Sequence, residues 1–411
     1  MVPESIVQPT RLKRLLGKLG LVLFGLLFGC LIAEIALRVA GYSYPDFYQP
    51  DDLRGYALRP NMEGWYRKEG EAYVRINSDG LRDGEHSKAK PANTIRIAVL
   101  GDSYPEAFPV AMEDAFWVVM EKNLQQCGAF GGKKIEVINF GVSGYGTAQE
   151  LITLREHVWA YSPDIVLLAL TTNNDISDNV RALKKTDEVP YFVYRDGKLS
   201  LDDSFKETRA FRWRQSRLNR MGRWIRDHSR LVQAVNQGHH GFKIWLASRR
   251  ARNAPANSPE TKTAAAASEE LGIDNVVYRA PSDDVWNDAW HVTEGLVAQM
   301  RNEVAVKGAK LLVVTLSNGI QAFPDANVRQ LFMQRLGVND LFYPDNRIKQ
   351  LCEREKIEVI TLAPWMETYA DQNKTFLHGF GDNIGNGHWN QLGHQVAGEF
   401  IAQKLCEGVV K

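Results

Sequence analysis

Short, mostly apolar runs recur along the chain from residue 95, and the first three stop at polar tips. Ile95–Leu100 (IRIAVL) ends in Gly101-Asp102-Ser103, Lys134–Phe140 (KIEVINF) in Gly141-Val142-Ser143-Gly144, and Asp164–Leu170 (DIVLLAL) in Thr171-Thr172-Asn173-Asn174-Asp175. Lys310–Leu316 (KLLVVTL) and Glu358–Leu362 (EVITL) repeat the pattern later. Apolar residues fall at helical spacing over Thr147–Ala160, Thr293–Val306, Asp345–Lys356 and Leu392–Leu405. Strands apolar on both faces, alternating with helices, predict an α/β fold: a parallel sheet of about five strands between two helical layers. Ligands of such sheets sit at the carboxyl ends of the strands, so the three polar tips converge on one crevice.

Outside this frame the pattern changes. Leu19–Ala33 carries no charge, its apolar character continues through Glu34 to Leu37, and Arg11, Lys13, Arg14 and Lys18 precede it. About 20 apolar residues span a bilayer, and the basic flank puts the N-terminus in the cytoplasm and the rest outside. Residues 1–43 therefore read as a cytoplasmic tail and an uncleaved, single-pass transmembrane anchor in the inner membrane, with the rest of the chain periplasmic. The alternatives are a cleaved leader, which lacks an A-x-A-like site here, a lipoprotein box at Leu27-Phe28-Gly29-Cys30, and a buried core helix. Residues 44–94 read as a juxtamembrane connector with one short strand, Tyr73–Asn77, and a turn at Asn77–Gly80. The α/β domain covers 95–175 and 289–411. Between its halves, 176–288 is an insertion too long for an ordinary connection. It holds a hairpin pattern around Asp196-Gly197, an Arg- and aromatic-rich stretch at Lys206–Arg252, and the low-complexity run Ala254–Glu269.

Composition adds little to this. A chain of 411 residues with 44% hydrophobic and 24% charged positions is globular, and a net charge of +1 selects no class of partner. Of the four cysteines, Cys30 lies in the apolar run, while Cys127, Cys352 and Cys406 form no C-x-x-C pair and no zinc spacing. Two arrangements stay open: a Cys352–Cys406 bridge, or three buried thiols. The sequence calls for no metal and no organic cofactor.

A serine hydroxyl becomes a nucleophile only when a base takes its proton and fixed donors stabilise the oxyanion. Gly101-Asp102-Ser103 places a serine at a strand-to-helix turn, with Asp102 able to brace it. These blocks resemble those of the GDSL/SGNH hydrolase superfamily. Ser103 matches the first block, Gly144 the second and Asn174 the third, and His388 in Gly387-His388-Trp389-Asn390 matches the last. The resemblance covers about Ile95–Asp175 and Ala309–Leu405. It implies a three-layer α/β/α, flavodoxin-like fold and acyl-ester hydrolysis, with Ser103 as nucleophile and His388 as base. Ser103 N–H, Gly144 N–H and the Asn174 side chain would form the oxyanion hole. Asn173 stands where the third block usually has glycine. The last block usually reads Asp-x-x-His, and Gly385 stands where the acid would be; the nearest upstream acid is Asp382. Either Asp382 folds back onto the imidazole or a Ser–His dyad works without it.

Each block also has a structural reading. Gly-Asp-Ser is an ordinary turn, Asn174-Asp175 is a helix cap, Asp175 braces a strand tip, and His394 is a packing residue. Only the joint pattern outweighs these. Lys206–Arg252 reads as a helical lid whose aromatics pack on the catalytic domain. The other reading is a basic amphipathic helix facing anionic lipid or acidic polysaccharide. The substrate expected is an ester, of an acylated carbohydrate or a lipid, and nucleic acid is not expected outside the membrane. The same site would serve an O-acyltransferase acting on envelope polysaccharide, and a non-catalytic envelope-binding protein could keep the fold.

Overall fold

The computed structural model describes residues 11–239, 242 and 275–408. Ala254–Glu269 lies outside them. The chain divides into two compact units, one holding 11–46 with 217–239, the other 47–216 with 275–408.

The larger unit is built on five parallel strands: β5 (Thr94–Gly101), β6 (Lys134–Asn139), β7 (Ile165–Thr171), β10 (Lys310–Leu316) and β11 (Glu358–Thr361). Their spatial order, β11-β10-β7-β5-β6, is the 2-1-3-4-5 winding of a flavodoxin-like sheet. Successive side chains of a strand point to opposite faces. Ile97, Val99, Leu167, Leu312 and Val314 therefore pack under the helices Phe116–Cys127, Ala363–Asn373 and Gln391–Cys406. Ala98, Leu100, Val166, Leu168 and Val313 pack under Thr147–Glu156, Asp284–Val306 and Tyr343–Glu355. Every residue of β7 is buried, so truncating one of its leucines to alanine costs about 2–5 kcal/mol. Strand order reverses between β5 and β7, and a crevice opens at the carboxyl ends of a sheet at that point.

Residues 47–94 belong to this unit and are not a connector. They form two antiparallel hairpins, β1 (Tyr48–Asp51) with β2 (Gly55–Leu58), and β3 (Glu63–Tyr66) with β4 (Ala72–Arg75). Phe47, Leu58, Val74 and Ile76 share a core with Phe108, Val142 and Tyr145. Buried cations hold the segment down. Arg82 donates to the Glu106 carbonyl at 3.0 Å, and burial pushes it down to about 10. Arg96 reaches Glu136 at 2.6 Å and the Ser87 carbonyl at 2.6 Å. The hairpin expected around Asp196-Gly197 is β8 (Tyr191–Arg195) with β9 (Lys198–Asp202). The domain resumes at Asp284 rather than 289, because one helix runs unbroken over Asp284–Val306.

The cysteine pairing is Cys127–Cys406, not Cys352–Cys406. Cys127 and Cys406 end two helices that pack together on one face of the sheet. Cys352 lies in Tyr343–Glu355 on the opposite face, where burial pushes its thiol up to about 12.

In the smaller unit, Leu15–Val39 is a 25-residue apolar stretch of helix, none of it buried, long and apolar enough to cross a membrane.

The disulfide closes a loop with a sequence separation of 279. Cys127→Ser, or reduction, should destabilise the larger unit by about 2–5 kcal/mol. A fall in the urea midpoint of Cys127→Ser, matched by wild type in reductant and not deepened when Cys127→Ser is itself placed in reductant, checks it.

Candidate active site

Ser103 opens a one-turn helix, Ser103–Glu106, at the end of β5. Gly101 has φ +154°, and a Cβ there would sit 2.8 Å from the Ala169 carbonyl and 2.6 Å from the Pro105 ring. Only glycine lets β5 turn this tightly beside β7. Asp102 is fully buried. Its carboxylate accepts from Tyr104 N–H at 3.2 Å, Thr171 Oγ1 at 3.0 Å and Asn174 Nδ2 at 3.0 Å. Asp102 thus ties the first tip to the third. Asp175 receives Thr171 N–H at 2.6 Å on one carboxyl oxygen, and burial beside Glu150 and Asp102 pushes its pKa far up.

His388 Nε2 lies 2.7 Å from Ser103 Oγ. Its Nδ1 meets the Glu69 carboxylate, and its backbone N–H donates to the other Glu69 oxygen at 2.8 Å. Glu69 sits in the turn between β3 and β4. Its close approach requires glycine at 387, which has φ +81° and where a Cβ would fall 2.3 Å from Glu69 Oε1. Burial raises the Glu69 carboxyl, but the hydrogen bonds and charge of His388 outweigh it and hold the group below its ordinary value. Burial lowers His388, and Glu69 outweighs that in turn, so the imidazole sits above 6.5. A carboxylate on Nδ1 keeps that nitrogen protonated and leaves Nε2 to accept the serine proton. Asp382 does not take this position. It is exposed, in the turn Gly381–Asn383, and Glu69 already occupies both donors of His388 that a third acid would bind.

A buried network sets the loop that carries His388. His378 Nδ1 donates to the Gly387 carbonyl at 2.8 Å, and Ser317 Oγ lies 3.0 Å from its Nε2. Trp389 Nε1 donates to Ser317 Oγ at 2.9 Å. Burial drives His378 down to about 4, so it stays neutral. His394 is buried too, and its Nδ1 accepts from Phe116 N–H at 3.3 Å, a packing role. The second tip is held by Glu106, which is buried and driven up to about 7 by burial. Its carboxylate accepts from Ser143 N–H at 3.0 Å and from Tyr48 Oη at 2.9 Å. Lys184 Nζ donates to the Gly144 carbonyl at 2.6 Å. Among the described residues no cluster of His, Cys, Asp and Glu could hold a metal ion.

Solved structures of similar chain path include an acetyl xylan esterase, AlAXEase, with 14% identity and TM-score 0.37 over 77% of this chain and 100% of that one. Another is the acetylxylan esterase Axe2 from Geobacillus stearothermophilus, with 13% identity and TM-score 0.36 over 76% of this chain and 94% of that one. TesA matches at 12% identity and TM-score 0.34, over 76% and 99%. No family model and no curated protein matches the sequence.

Sequence reasoning missed Glu69, Glu106 and His378. The signal for Glu69 was a short charged turn, Arg67–Glu71, between two aromatic-bearing segments.

Glu69→Gln should lower kcat/KM for an ester by about 10²–10⁴-fold. The base works in its neutral form, so wild-type kcat/KM should fall as pH drops through a value above 6.5. Without Glu69, burial acts on His388 against only the smaller charge effects of Asp102 and Glu106, and that limb should move to lower pH. Asp382→Asn should leave both unchanged. The pH–rate profiles of the three proteins decide it.

Proposed function

We propose that the protein is a serine ester hydrolase working through an acyl-enzyme on Ser103. The observation that carries this reading is the Ser103–His388–Glu69 chain, with a 2.7 Å contact at the nucleophile and each member contributed by a different segment of the fold. His388 Nε2 takes the Ser103 proton as Oγ attacks the ester carbonyl, and the imidazolium formed is stabilised by Glu69. The tetrahedral oxyanion falls to Ser103 N–H, Gly144 N–H and Asn174 Nδ2. One Asn174 amide hydrogen is committed to Asp102, which orients the group and leaves the second hydrogen for substrate. His388 returns its proton to the leaving alkoxide, then activates water to release the acyl group. Donors preorganised in this way are worth about 10²–10³ in rate each.

The likeness of the four sequence blocks to GDSL/SGNH hydrolases supports the same chemistry. The apolar helix supports attachment to a membrane. The basic residues ahead of it support an N-terminus in the cytoplasm, and the Cys127–Cys406 bridge fits an oxidising compartment on the other side. The substrate expected there is an acylated carbohydrate or lipid.

A fluorophosphonate probe should label the wild type and not Ser103→Ala. Hydrolysis of p-nitrophenyl acetate should drop about 10⁴–10⁶-fold in that variant. Folded wild-type protein that neither labels nor hydrolyses esters of any chain length would remove the enzyme reading and leave a binding role.

A further inference from the structure

Glu34 is the one acid inside the apolar helix Arg11–Val39. A carboxylate in such a place is costly unless it is paired. Its Oε1 accepts from Arg230 N–H at 2.9 Å and from Arg38 Nε at 2.8 Å. Its Oε2 accepts from Leu231 N–H and Ser229 Oγ, both at 2.9 Å. The two amides open the helix at 230–239, so Glu34 acts as an anion at that helix's N-terminus, supplied from another segment. Neighbouring contacts extend the clamp. Arg230 Nη1 donates to Ser43 Oγ at 2.9 Å, and Tyr44 N–H donates to Gln233 Oε1 at 2.9 Å. Ser229–Gln233 is therefore fastened to the C-terminal end of the apolar helix.

Immediately before the clamp runs the helix Arg217–His228. Leu218, Met221, Trp224 and Ile225 recur at three- and four-residue spacing and share one side. They are exposed by 63%, 57%, 60% and 40%. Trp213 is 57% exposed as well. Phe211 packs against Phe205 at 4.8 Å within the insertion. Arg220, Arg223 and Arg226 occupy the other side of the helix. Residues 217–230 carry five arginines and one aspartate, a net +4. A soluble acidic polysaccharide would account for the arginines and leave the apolar stripe in water. A bilayer surface accounts for both, and the clamp holds this helix beside the end of the segment read as the membrane span.

We propose that Arg217–His228 lies in the headgroup layer of the membrane crossed by Leu15–Val39. Leu218, Met221, Trp224 and Ile225 enter the acyl boundary, the arginines bind the phosphates of anionic phospholipids, and Glu34 is the clamp that sets the helix at this level. The proposal rests on reading the apolar helix as a span, and not on the ester chemistry.

The test uses the full-length protein in a Cys30→Ser background, reconstituted in vesicles of phosphatidylcholine alone or with one part in three of phosphatidylglycerol. A nitroxide label is placed at Met221→Cys, with Leu201→Cys, exposed in β9, as the aqueous control. In anionic vesicles the Met221→Cys label should be accessible to oxygen and shielded from aqueous nickel, at a depth of about 5–10 Å. Arg217→Glu with Arg220→Glu should shift it toward water, and the control label should stay aqueous throughout. A label at 221 that remains aqueous in both vesicle types overturns the proposal. So does immersion equal in both, or protection by a soluble anionic polysaccharide and not by vesicles. Alkaline carbonate extraction separates the two readings. A protein that washes off refutes the span and the proposal together, while an integral protein with an aqueous label refutes the proposal alone. Ester hydrolysis is scored independently of either.

Discussion

The Nδ1 face of His388 has to be held by a carboxylate if its Nε2 face is to draw a proton from Ser103, and the surrounding architecture is arranged to meet that condition. Glu69 grips both the ring and the backbone amide of His388. The grip needs a residue without a side chain at 387, a neutral His378 on the Gly387 carbonyl and a hairpin pinned to the sheet. The hairpin stays pinned because Val74 and Ile76 share a core with Phe108 and Val142, close in sequence to the nucleophile and the second tip. Loss of that small core would reach the imidazole without touching the sheet.

The crevice is a chain of carboxyl groups in different states. Asp102 receives donors from the first and third tips. Glu69 is held below its ordinary range by the imidazole. Glu106 is driven up to about 7 by burial, which outweighs the nearby charges of Arg82 and His388. Asp175 and Glu150, buried side by side in charge terms, are both pushed far up. Burial sets the sign in the last three, and a specific partner reverses it only at Glu69. His388, raised above its ordinary value, is the proton acceptor and Glu106 holds the second tip, so the site is sensitive to pH at two points.

The sheet was legible because its strands are apolar on both faces and end in distinctive tips. Five runs in the chain correspond to the five parallel strands, and Ser103 and Asn174 stand at the strand reversal where the rule for open sheets places a ligand. His388 was legible only through its block. Glu69 was not, because the acid is 319 residues away from its partner and its turn belongs to a segment with weak strand patterning. The cysteine pairing failed for a related reason: spacing does not say which face of a sheet a helix covers. The arginine-rich stretch reads as a lid from composition, and composition does not show that Trp213 and Trp224 are exposed.

The hairpin that carries Glu69 precedes the first sheet strand in the chain, just downstream of the apolar helix. A fragment cut immediately ahead of Thr94 would retain the whole parallel sheet, the nucleophile, the imidazole and the disulfide. It would nonetheless lack an acid for the imidazole and leave Phe108, Val142 and Tyr145 uncovered. A water-soluble version of this unit has to start upstream of Phe47, so the boundary useful for expression is set by the chemistry and not by the edge of the recognisable sheet.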